Sequence, residues 1–385
     1  MNVLLQEFKD RIREAGETHR SLSVRGHGSK AFYGETPQGD TLDVAAYAGV
    51  LSYEPSELVV TARAGTPLRE LEALLAQKGQ CLPFEPPHFG APNDPLGGTL
   101  GGMVAAGLSG PARVSVGSVR DYVLGVTMLN GRAEELRFGG QVMKNVAGYD
   151  VSRVMAGSMG TLGLITEVSL KVLPKAPAEA TLMMAMPQAQ ALQQLHRWVA
   201  QPLPLNASCW VHDDTAQPAQ DFLFVRLRGA QAAVEAACVR MAADVQQQGF
   251  AVSRMDTEGA AGDWRACADQ QLPFFQPEPA PDACLWRLSL PPTAPVLALP
   301  GSPLIEWHGG LRWLWAPASA AADLRALVQS HGGHATLWRA RPGHEAQDRH
   351  VGVFTPLPAV QQKLQQALQA EFDPNAVFKT GRLGL

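Results

Sequence analysis

The sequence contains one stretch of unusual glycine content, which runs from Gly97 to Gly163. Fifteen of the chain's 37 glycines fall in these 67 residues, about 22 per cent against a usual fraction near 7 per cent. A flexible linker also carries many glycines, but this stretch includes β-branched apolar runs such as VLGVTML. Glycines placed between strands that require burial indicate backbone that bends sharply or lies against a large, flat ligand.

Composition limits the classes of protein to which the chain can belong. Its 385 residues are enough for two or three domains with their own cores. With 46% hydrophobic and 18% charged residues, it has the composition of a globular protein. The net charge is −4 and no basic block occurs, so electrostatic binding to nucleic acid or to a membrane surface is not expected.

The five cysteines are scattered, and no two are closer than 17 residues. No CxxC occurs, which argues against a zinc ribbon or an iron–sulfur cluster built by this chain alone. We expect reduced, buried thiols, as is usual in a cytoplasmic protein. The N-terminal residues lack the apolar core of a signal peptide, and no stretch of 18 apolar residues predicts a membrane-spanning helix.

Two local patterns bracket the first quarter of the chain. A helix is predicted from Asn2 to Ala15, and a second one has Thr66 as N-cap, Pro67 at its first position and Gly79 at its end. Between them a short strand leads into a glycine turn at 25–30. Such a turn can direct successive N–H groups at an anion, with added charge from its arginine and lysine. A plain hairpin turn is the alternative.

The common phosphate-binding motifs are missing from the sequence. No G-x-G-x-x-G lies between a strand and a helix, and no G-x-x-x-x-G-K-[ST] occurs, so Rossmann and P-loop folds lose their main support. The segment GGTLGGMVAAGLSG has side chains small enough for backbone to approach a ligand closely. A hairpin is predicted at Asn130-Gly131, followed by a strand that ends at Pro174.

Five spaced motifs in order resemble the FAD-binding domain of the p-cresol methylhydroxylase (PCMH) or vanillyl-alcohol oxidase type. They are VRGHGSK at 24–30, GGTLGGMVAAGLSG at 97–110, GSVRDYVLG at 117–125, KNVAGYD at 144–150 and GSMGTLGLITEVSLKVLP at 157–174. Over its whole length the chain is similar to the small FAD-binding subunits of bacterial glycolate oxidase complexes. That similarity rests on LPFEPPHFG at 82–90, RFGGQVMKNVAGYDVSR at 137–153, QQLPFF at 270–275, GGHATLWRA at 332–340 and DPNAVFKTGRL at 373–383.

The resemblance implies an α+β fold with a two-lobed PCMH-type FAD-binding domain, followed by a smaller α+β cap domain with an antiparallel sheet. A change of composition after Pro174 supports a boundary there, since all eight tryptophans lie from Trp198 onward. We therefore expect the FAD-binding domain at 1–175 and the cap at 176–350. A C-terminal segment at 351–385 would contribute a helix and a tail that pack back on the body.

The resemblance also assigns the cofactor contacts. The turn at 25–30 would face the pyrophosphate of FAD, the segment from Thr99 to Gly110 would run along its pyrophosphate and ribityl portion, and Gly160 to Ile165 would lie near the flavin or adenine. The residues assigned to FAD are Arg25, Gly26, His27, Gly28, Ser29, Lys30, Pro87, Thr99, Leu100, Gly101, Gly102, Met103, Ser109, Gly110, Gly160, Gly163 and Ile165.

The attachment of FAD is expected to be non-covalent. Some members of the family bind FAD covalently through a histidine that follows two glycines in the first turn. Alignment of VRGHGSK with that pattern places Ser29, and not His27, at the attachment position. Serine cannot form a histidyl–flavin bond, so we predict dissociable FAD. His27 is placed either near the cofactor or towards solvent.

No catalytic residue is assigned, and no metal ligand. FAD-dependent 2-hydroxy-acid dehydrogenases usually carry a His-Gly-Asp-Gly-Asn motif in the cap, and this sequence has none. The nearest substitutes are His334, Arg339 and Arg341, of which His334 is either a base or a hydrogen-bonded strand residue.

Three further features have two interpretations each. Lys144 and Asn145 lie either at the flavin or on the surface. Asp121 fits a turn or an ion pair better than a catalytic acid. Trp307, Trp313 and Trp315 belong either to the cap core or to a partner surface.

The resemblance implies the FAD-binding subunit of a glycolate oxidase (glycolate dehydrogenase) complex. Such a complex oxidises glycolate or a similar short 2-hydroxy acid to the 2-oxo acid. Expected partners are a larger FAD-containing glycolate oxidase subunit and an iron–sulfur subunit that takes electrons from the flavin. Because the cap motif is missing, we assign substrate oxidation mainly to the larger subunit. The expected location is the cytoplasm, with contact to the inner membrane face through partner subunits.

Two alternatives to this assignment remain open. One is a stand-alone FAD-dependent 2-hydroxy-acid dehydrogenase, which needs a base and an arginine for the substrate within this chain. The other is a non-catalytic scaffold subunit whose flavin site is empty.

Overall fold

The computed structural model describes residues 3–89, 97–140, 150–215, 217–276 and 280–384. Its helices are α1 (Val3–Glu17), α2 (Leu68–Ala76), α3 (Leu100–Ala106), α4 (Arg113–Val116), α5 (Val119–Tyr122), α6 (Val151–Val154), α7 (Gln188–Val199), α8 (Gln231–Gln246), α9 (Thr257–Ala268), α10 (Ala321–Ser330), α11 (Glu345–Arg349) and α12 (Ala359–Phe372). Its strands are β1 (Leu22–Arg25), β2 (Asp40–Asp43), β3 (Val50–Glu54), β4 (Val59–Arg63), β5 (Gln80–Cys81), β6 (Val123–Leu129), β7 (Glu135–Gly139), β8 (Leu164–Lys171), β9 (Leu173–Pro174), β10 (Ala178–Ala185), β11 (Leu205–Asp213), β12 (Gln220–Gly229), β13 (Val252–Arg254), β14 (Ala283–Ser289), β15 (Leu304–Glu306), β16 (Leu311–Pro317) and β17 (His334–Arg339).

The chain divides into two compact units. The first consists of Met1–Ser109, Ser118–Lys175 and Pro356–Leu385, and the second consists of Gly110–Gly117 and Ala176–Thr355. The chain thus leaves the first unit for eight residues, returns to it, and comes back to it again at its C-terminal end. The division at 1–175, 176–350 and 351–385 stays a proposal made from the sequence.

The first unit contains two apolar cores, each built around its own strands. One core lies on the five-stranded antiparallel sheet β3-β4-β8-β6-β7 and includes α2 and α3. The other packs α1 and the C-terminal residues Val377 and Phe378 around the parallel pair β1-β2. Strands β6 and β7 form the hairpin that the sequence predicts at Asn130. The two cores give the unit the two lobes expected from the sequence.

The predicted start of α2 differs from the observed one. Thr66 is not the N-cap, because the helix begins at Leu68 and Pro67 occupies the cap position without a side-chain bond. The Thr66 hydroxyl instead accepts a hydrogen bond from Gly49 N at 3.0 Å. The hydroxyl that the sequence pattern assigned to the helix cap thus accepts a tertiary hydrogen bond from a residue outside the helix.

The second unit is built on an eight-stranded sheet in the order β13-β10-β12-β11-β15-β16-β14-β17, with every neighbouring pair antiparallel. Helices α7 and α8 pack on β10, β11 and β12 through leucine, valine and tryptophan side chains. Helix α10 packs on β14, β16 and β17. This antiparallel α+β arrangement confirms the predicted fold class.

Two of the three tryptophans considered from the sequence as a partner surface are buried, and the third, Trp315, is half-buried. Trp307 and Trp313 are each only 5% exposed. Trp313 donates its indole N–H to Glu306 Oε1 at 2.7 Å, and Trp315 donates to Phe274 O at 2.8 Å. These side chains belong to the core of the second unit and to its hydrogen-bond network. The exposed apolar side chains include a stripe on α12 instead, formed by Val360, Leu364 and Leu368.

Two general expectations can be compared with the described residues. Within the part of the chain that the structure describes, no helix is both long and apolar enough to cross a membrane. The five cysteines are free thiols, four of them buried and Cys81 partly exposed.

Candidate cofactor site

The first unit contains a cleft of about 340 Å³, a volume within the usual range for small-molecule sites. Its walls are the turn after β1, the start of α3, the loop before β8 and the C-terminal tail. The sequence-predicted FAD residues that line it are Arg25, Gly26, His27, Gly28, Ser29, Lys30, Thr99, Gly101, Gly102, Gly160, Gly163 and Ile165.

The turn after β1 presents unused N–H donors. Within the described ranges, the four consecutive amides from Gly26 to Ser29 donate to no protein acceptor. Gly28 has φ +74°, the left-handed conformation that turns successive amides towards one side and forms an anion-binding concavity. The Arg25 side chain folds over this turn, because a Cβ on Gly28 would lie 3.1 Å from Arg25 Nε. The donor set fits the two phosphate charges of a pyrophosphate.

Lys30 adds a second positive charge to this wall of the cleft. Its ammonium donates to Ser29 Oγ at 3.3 Å and lies 5.8 Å from the centre of the Phe89 ring. Arg25 forms no ion pair within the described residues. This wall of the cleft therefore combines backbone donors with Arg25 and Lys30.

Gly26 is required by the close approach of α3. A Cβ at this position would lie 2.4 Å from Thr99 Oγ1 and 2.8 Å from Thr99 Cγ2. Thr99 is fixed as the N-cap of α3, because its hydroxyl accepts from Gly102 N at 3.1 Å. The turn at 25–30 and the start of α3 thus fit together only without a side chain at Gly26.

The backbone donors at the start of α3 are already used within the protein. Leu100 N donates to Thr66 O at 2.9 Å, Gly101 N donates to Ala64 O at 2.7 Å, and Met103 N donates to Thr99 O at 2.8 Å. This segment therefore offers the cleft a smooth, small-sided surface in place of N–H donors. Of these two walls, the turn at 26–29 is the one that offers amides to a phosphate.

The loop before β8 contributes glycines for two different reasons. Gly160 has φ +78°, and its amide has no acceptor among the described residues. Gly163 has φ +140°, and a Cβ there would lie 2.5 Å from Leu129 O. Gly160 can therefore serve a ligand, while Gly163 lets the loop approach the neighbouring strand β6.

Five of the predicted FAD residues do not line the cleft. Leu100 and Met103 are each 1% exposed and belong to the core of the first unit. The Ser109 hydroxyl accepts from Val119 N at 3.1 Å. Gly110 lies in the second unit, where its carbonyl accepts from the Trp307 indole at 3.0 Å. Pro87 is buried just before the undescribed range 90–96.

Sequence reasoning missed the part of the cleft that the C-terminal tail supplies. Thr380 and Arg382 line it, and Arg382 Nη2 donates to Lys30 O at 3.0 Å and to Tyr33 O at 2.6 Å. The motif DPNAVFKTGRL contains both tail residues. Nothing in that motif indicates a partner some 350 residues earlier, so only its resemblance to the family could have drawn attention to it.

Two of the candidate substrate groups in the second unit already have partners. Arg339 donates to Gln270 Oε1 at 2.7 Å. The guanidinium of Arg341 binds both carboxylate oxygens of Asp348, with Nη2 2.6 Å from Oδ1, and this contact lowers the pKa of Asp348 to about 2. Arg341 is therefore a structural ion-pair residue.

His334 is chemically the most open of these candidates. His334 lies at the exposed start of β17, and the nearby protein atoms and the positive charge of Arg287 lower its pKa. The imidazole is consequently neutral at pH 7 and able to accept a proton.

The remaining candidates have simple outcomes. Asp121 forms the capping box of α5 with Ser118, whose N–H and hydroxyl donate to its carboxylate at 2.8 and 2.9 Å. This is the turn role favoured by the sequence. Lys144 and Asn145 lie outside the described residues.

A buried histidine in the second unit has no counterpart in the sequence predictions. His308 is 3% exposed, and its Nδ1 lies 2.9 Å from Ser208 Oγ. Its Nε2 lies 3.4 Å from Ser115 Oγ, on the eight-residue segment that belongs to this unit. Burial lowers the pKa of His308 to about 4. Trp307 and His308 both have positive φ values, +54° and +56°, a strained conformation for such residues.

Comparison with known proteins identifies the first part of the chain as an FAD binding domain, with residues 5–139 matched. The chain is 41% identical over 380 residues to the glycolate oxidase subunit GlcE of Escherichia coli strain K12. The aligned region covers 98% of this chain and 97% of that subunit. It is 31% identical over 134 residues to the glycolate oxidase subunit GlcD of Bacillus subtilis strain 168, covering 35% of this chain and 27% of that one.

A solved structure supports the fold over nearly the whole chain. The structure of p-cresol methylhydroxylase with substrate bound superposes with a TM-score of 0.69 at 13% identity, covering 99% of this chain and 87% of that one. Together these similarities confirm the predicted PCMH-type fold and FAD as the cofactor.

Proposed function

The chain belongs to the family of glycolate oxidase subunits that includes GlcE of Escherichia coli, and on this premise we propose that it is the FAD-binding subunit of a glycolate oxidase complex. The proposed reaction is oxidation of glycolate, or of a similar short 2-hydroxy acid, to the 2-oxo acid. The observation that carries the proposal is the similarity to that subunit over 98% of this chain. The cleft with its four unused amides supports it.

The residues of the first unit bind and orient the cofactor. Bound FAD supplies the ability to accept two electrons and to release them one at a time. The amides from Gly26 to Ser29 would bind the pyrophosphate, with Arg25 and Lys30 balancing its charge. Thr99 positions the start of α3 against the turn.

We assign substrate oxidation mainly to a larger FAD-containing partner subunit. Of the arginines proposed for the substrate in this chain, Arg341 is bound to Asp348 and Arg339 donates to Gln270. The cap motif His-Gly-Asp-Gly-Asn is also missing. This chain would then relay electrons towards an iron–sulfur subunit or support the complex structurally.

The second candidate is a stand-alone FAD-dependent 2-hydroxy-acid dehydrogenase. The neutral imidazole of His334 favours it, since a base of this kind could accept the hydroxyl proton of a substrate. The guanidinium of Arg287, whose charge acts on His334, already lies over three tryptophan rings of the second unit, which weighs against a role in binding the substrate carboxylate.

Turnover by the separated chain distinguishes these two candidates. We expect the FAD-loaded chain alone to oxidise glycolate with an artificial electron acceptor at less than about 1% of the rate of the complex purified from its host, because an unassisted proton transfer alone costs about 10²–10⁴-fold. Co-purification should also yield flavin, iron and partner chains. Turnover by the chain alone at the rate of the complex, abolished in His334→Ala, would establish the stand-alone enzyme.

The apolar stripe on α12, formed by Val360, Leu364 and Leu368, supports association with the larger subunit. Its role can be tested in the same co-purification experiment. Val360 is 72% and Leu364 is 61% exposed, and exposed apolar groups at this spacing mark contact surfaces on helices. We expect the double substitution Val360→Lys and Leu364→Lys to remove the larger subunit from the purified complex. Val239→Lys, at an isolated valine that is 74% exposed on α8, is the matched control.

FAD should dissociate from the denatured chain. The family resemblance aligns Ser29 with the attachment histidine of members that bind FAD covalently, and a serine hydroxyl cannot replace the imidazole in that bond. We therefore expect acid precipitation to give a colourless protein pellet, with all the FAD in the supernatant. Flavin absorbance that stays with the washed pellet would show a covalent bond and contradict the proposal.

A further inference from the structure

We infer that Arg382 is a positioning residue for FAD: it holds the backbone at 30–33 so that the amides at 26–29 stay directed into the cleft. The inference concerns how FAD is bound, and it holds whichever subunit oxidises the substrate.

The first observation is the number of carbonyls bound by one nitrogen of the guanidinium. Nη2 of Arg382 lies 3.0 Å from Lys30 O, 3.0 Å from Ala31 O and 2.6 Å from Tyr33 O. Hydrogen bonds from a charged donor are about twice as strong as neutral ones. The guanidinium therefore fixes the carbonyl side of this turn.

The second observation is a direct path from these carbonyls to the cofactor donors. The oxygen of Lys30 and the amide of Ala31 share one peptide plane, and Ala31 N donates to Gly28 O at 2.9 Å. The oxygen of Gly28 and the amide of Ser29 belong to a second peptide plane, which this hydrogen bond joins to the first. The Ser29 amide is one of the four donors at 26–29 that have no acceptor among the described residues. Because peptide groups are planar, holding the first plane restricts rotation of the second.

The third observation is that the tail itself is held in place. Glu35 N donates to Arg382 O at 3.0 Å, and Gln38 N donates to Thr380 O at 2.8 Å. Gly34 has φ +93°, and a Cβ there would lie 3.0 Å from Arg382 O and 3.1 Å from Arg382 Nε. The chain at 34–38 thus fits closely around the arginine.

The test compares ligand affinity with folding in Arg382→Met and Arg382→Lys. The apoprotein is titrated with FAD and with ADP, which carries a pyrophosphate but no flavin. We expect Arg382→Met to weaken both by about tenfold or more, the effect of losing one or two hydrogen bonds to a charged group. Lysine offers three donors to the same carbonyls but lacks the planar fork of arginine, so Arg382→Lys should lose only about two- to threefold in affinity for each ligand.

The matched control is Arg325→Met in the second unit. Arg325 also donates to two loop carbonyls, those of Val351 and Gly352, so its replacement has a comparable structural cost. We expect this variant to bind FAD and ADP with wild-type affinity.

Three results would overturn the inference: FAD affinity of Arg382→Met within twofold of wild type, loss of FAD affinity without loss of ADP affinity, or equal losses in Arg325→Met. If the methionine variant does not fold, Arg382→Lys decides through the comparison of the two ligands. A loss of about two- to threefold for both FAD and ADP supports the inference, whereas unequal losses, or unchanged affinity for both, overturn it.

Discussion

Gly26→Ala is expected to reduce FAD affinity by about tenfold or more, because the new methyl group cannot fit beside Thr99. Its Cβ would lie 2.4 Å from Thr99 Oγ1, and that hydroxyl is held by its bond to Gly102 N. Either the turn or the start of α3 must shift. A shifted turn loses the alignment of its amides with the pyrophosphate, and each charge-assisted bond lost costs about 1.5–3 kcal/mol.

The measurement is a titration of the apoprotein with FAD, followed by flavin fluorescence, together with unfolding followed by circular dichroism. We expect the free energy of unfolding of the first unit to fall by about 1–3 kcal/mol, as is usual for an overpacked site. All eight tryptophans lie in the second unit. Tryptophan fluorescence should therefore report an unchanged transition for that unit.

Two further variants test whether the contact with Thr99 is the cause. In Gly26→Ala combined with Thr99→Ala, the nearest remaining Thr99 atom is Cβ at 3.2 Å, so part of the lost affinity should return. Gly262→Ala on α9 is the neutral control, because no atom lies within 4 Å of its Cβ position. FAD affinity of Gly26→Ala within twofold of wild type would refute the proposed fit.

The sequence predicts those parts of the site that depend on neighbouring residues. The turn at 25–30 and the small-sided segment that begins at Thr99 are local patterns, and the structure brings both to one cleft. Glycine in a turn restricts the backbone wherever the turn lies in the fold. For this reason the glycine turn itself could be predicted without a structure, whereas its assignment to the pyrophosphate came from the family resemblance and stays a proposal.

The parts that sequence reasoning missed depend on contacts between distant residues. Arg382 reaches the carbonyls of 30–33 across some 350 residues, and Gly110 leaves the first unit to accept a bond from Trp307. The prediction of Thr66 as an N-cap was wrong because its hydroxyl accepts a hydrogen bond from Gly49 N. Local propensity cannot reveal such competition, since each partner is specified only once the chain is folded.

Acidification from pH 6.5 to pH 4 is expected to destabilise the second unit by about 3 kcal/mol through His308 alone. Burial lowers the pKa of this imidazole from 6.5 in the unfolded chain to about 4 in the folded protein. At pH values between 6.5 and 4, His308 is protonated in the unfolded chain and neutral in the folded protein. The free energy of unfolding therefore falls by about 1.4 kcal/mol per pH unit as the pH is lowered. Above pH 6.5 both states are neutral, and this contribution is constant.

The surroundings of His308 explain why its imidazole stays neutral in the folded protein. The Ser208 hydroxyl accepts from His308 N at 3.0 Å and also lies 2.9 Å from Nδ1. Nε2 lies 3.4 Å from Ser115 Oγ. Because the ring is only 3% exposed, a second proton would place a positive charge away from water, and this desolvation lowers the pKa of His308.

The matched variant is His308→Asn, since asparagine accepts the left-handed backbone at φ +56° but does not titrate. Denaturant unfolding followed by tryptophan fluorescence, at pH 7 and at pH 4.5, reports the second unit. Asp348, with its pKa near 2, loses its contribution only below pH 3.8 and so does not interfere. We expect wild type to lose about 2–3 kcal/mol more than the variant over this interval. Equal losses in the two proteins would mean that His308 is protonated as readily in the folded state as in the unfolded chain.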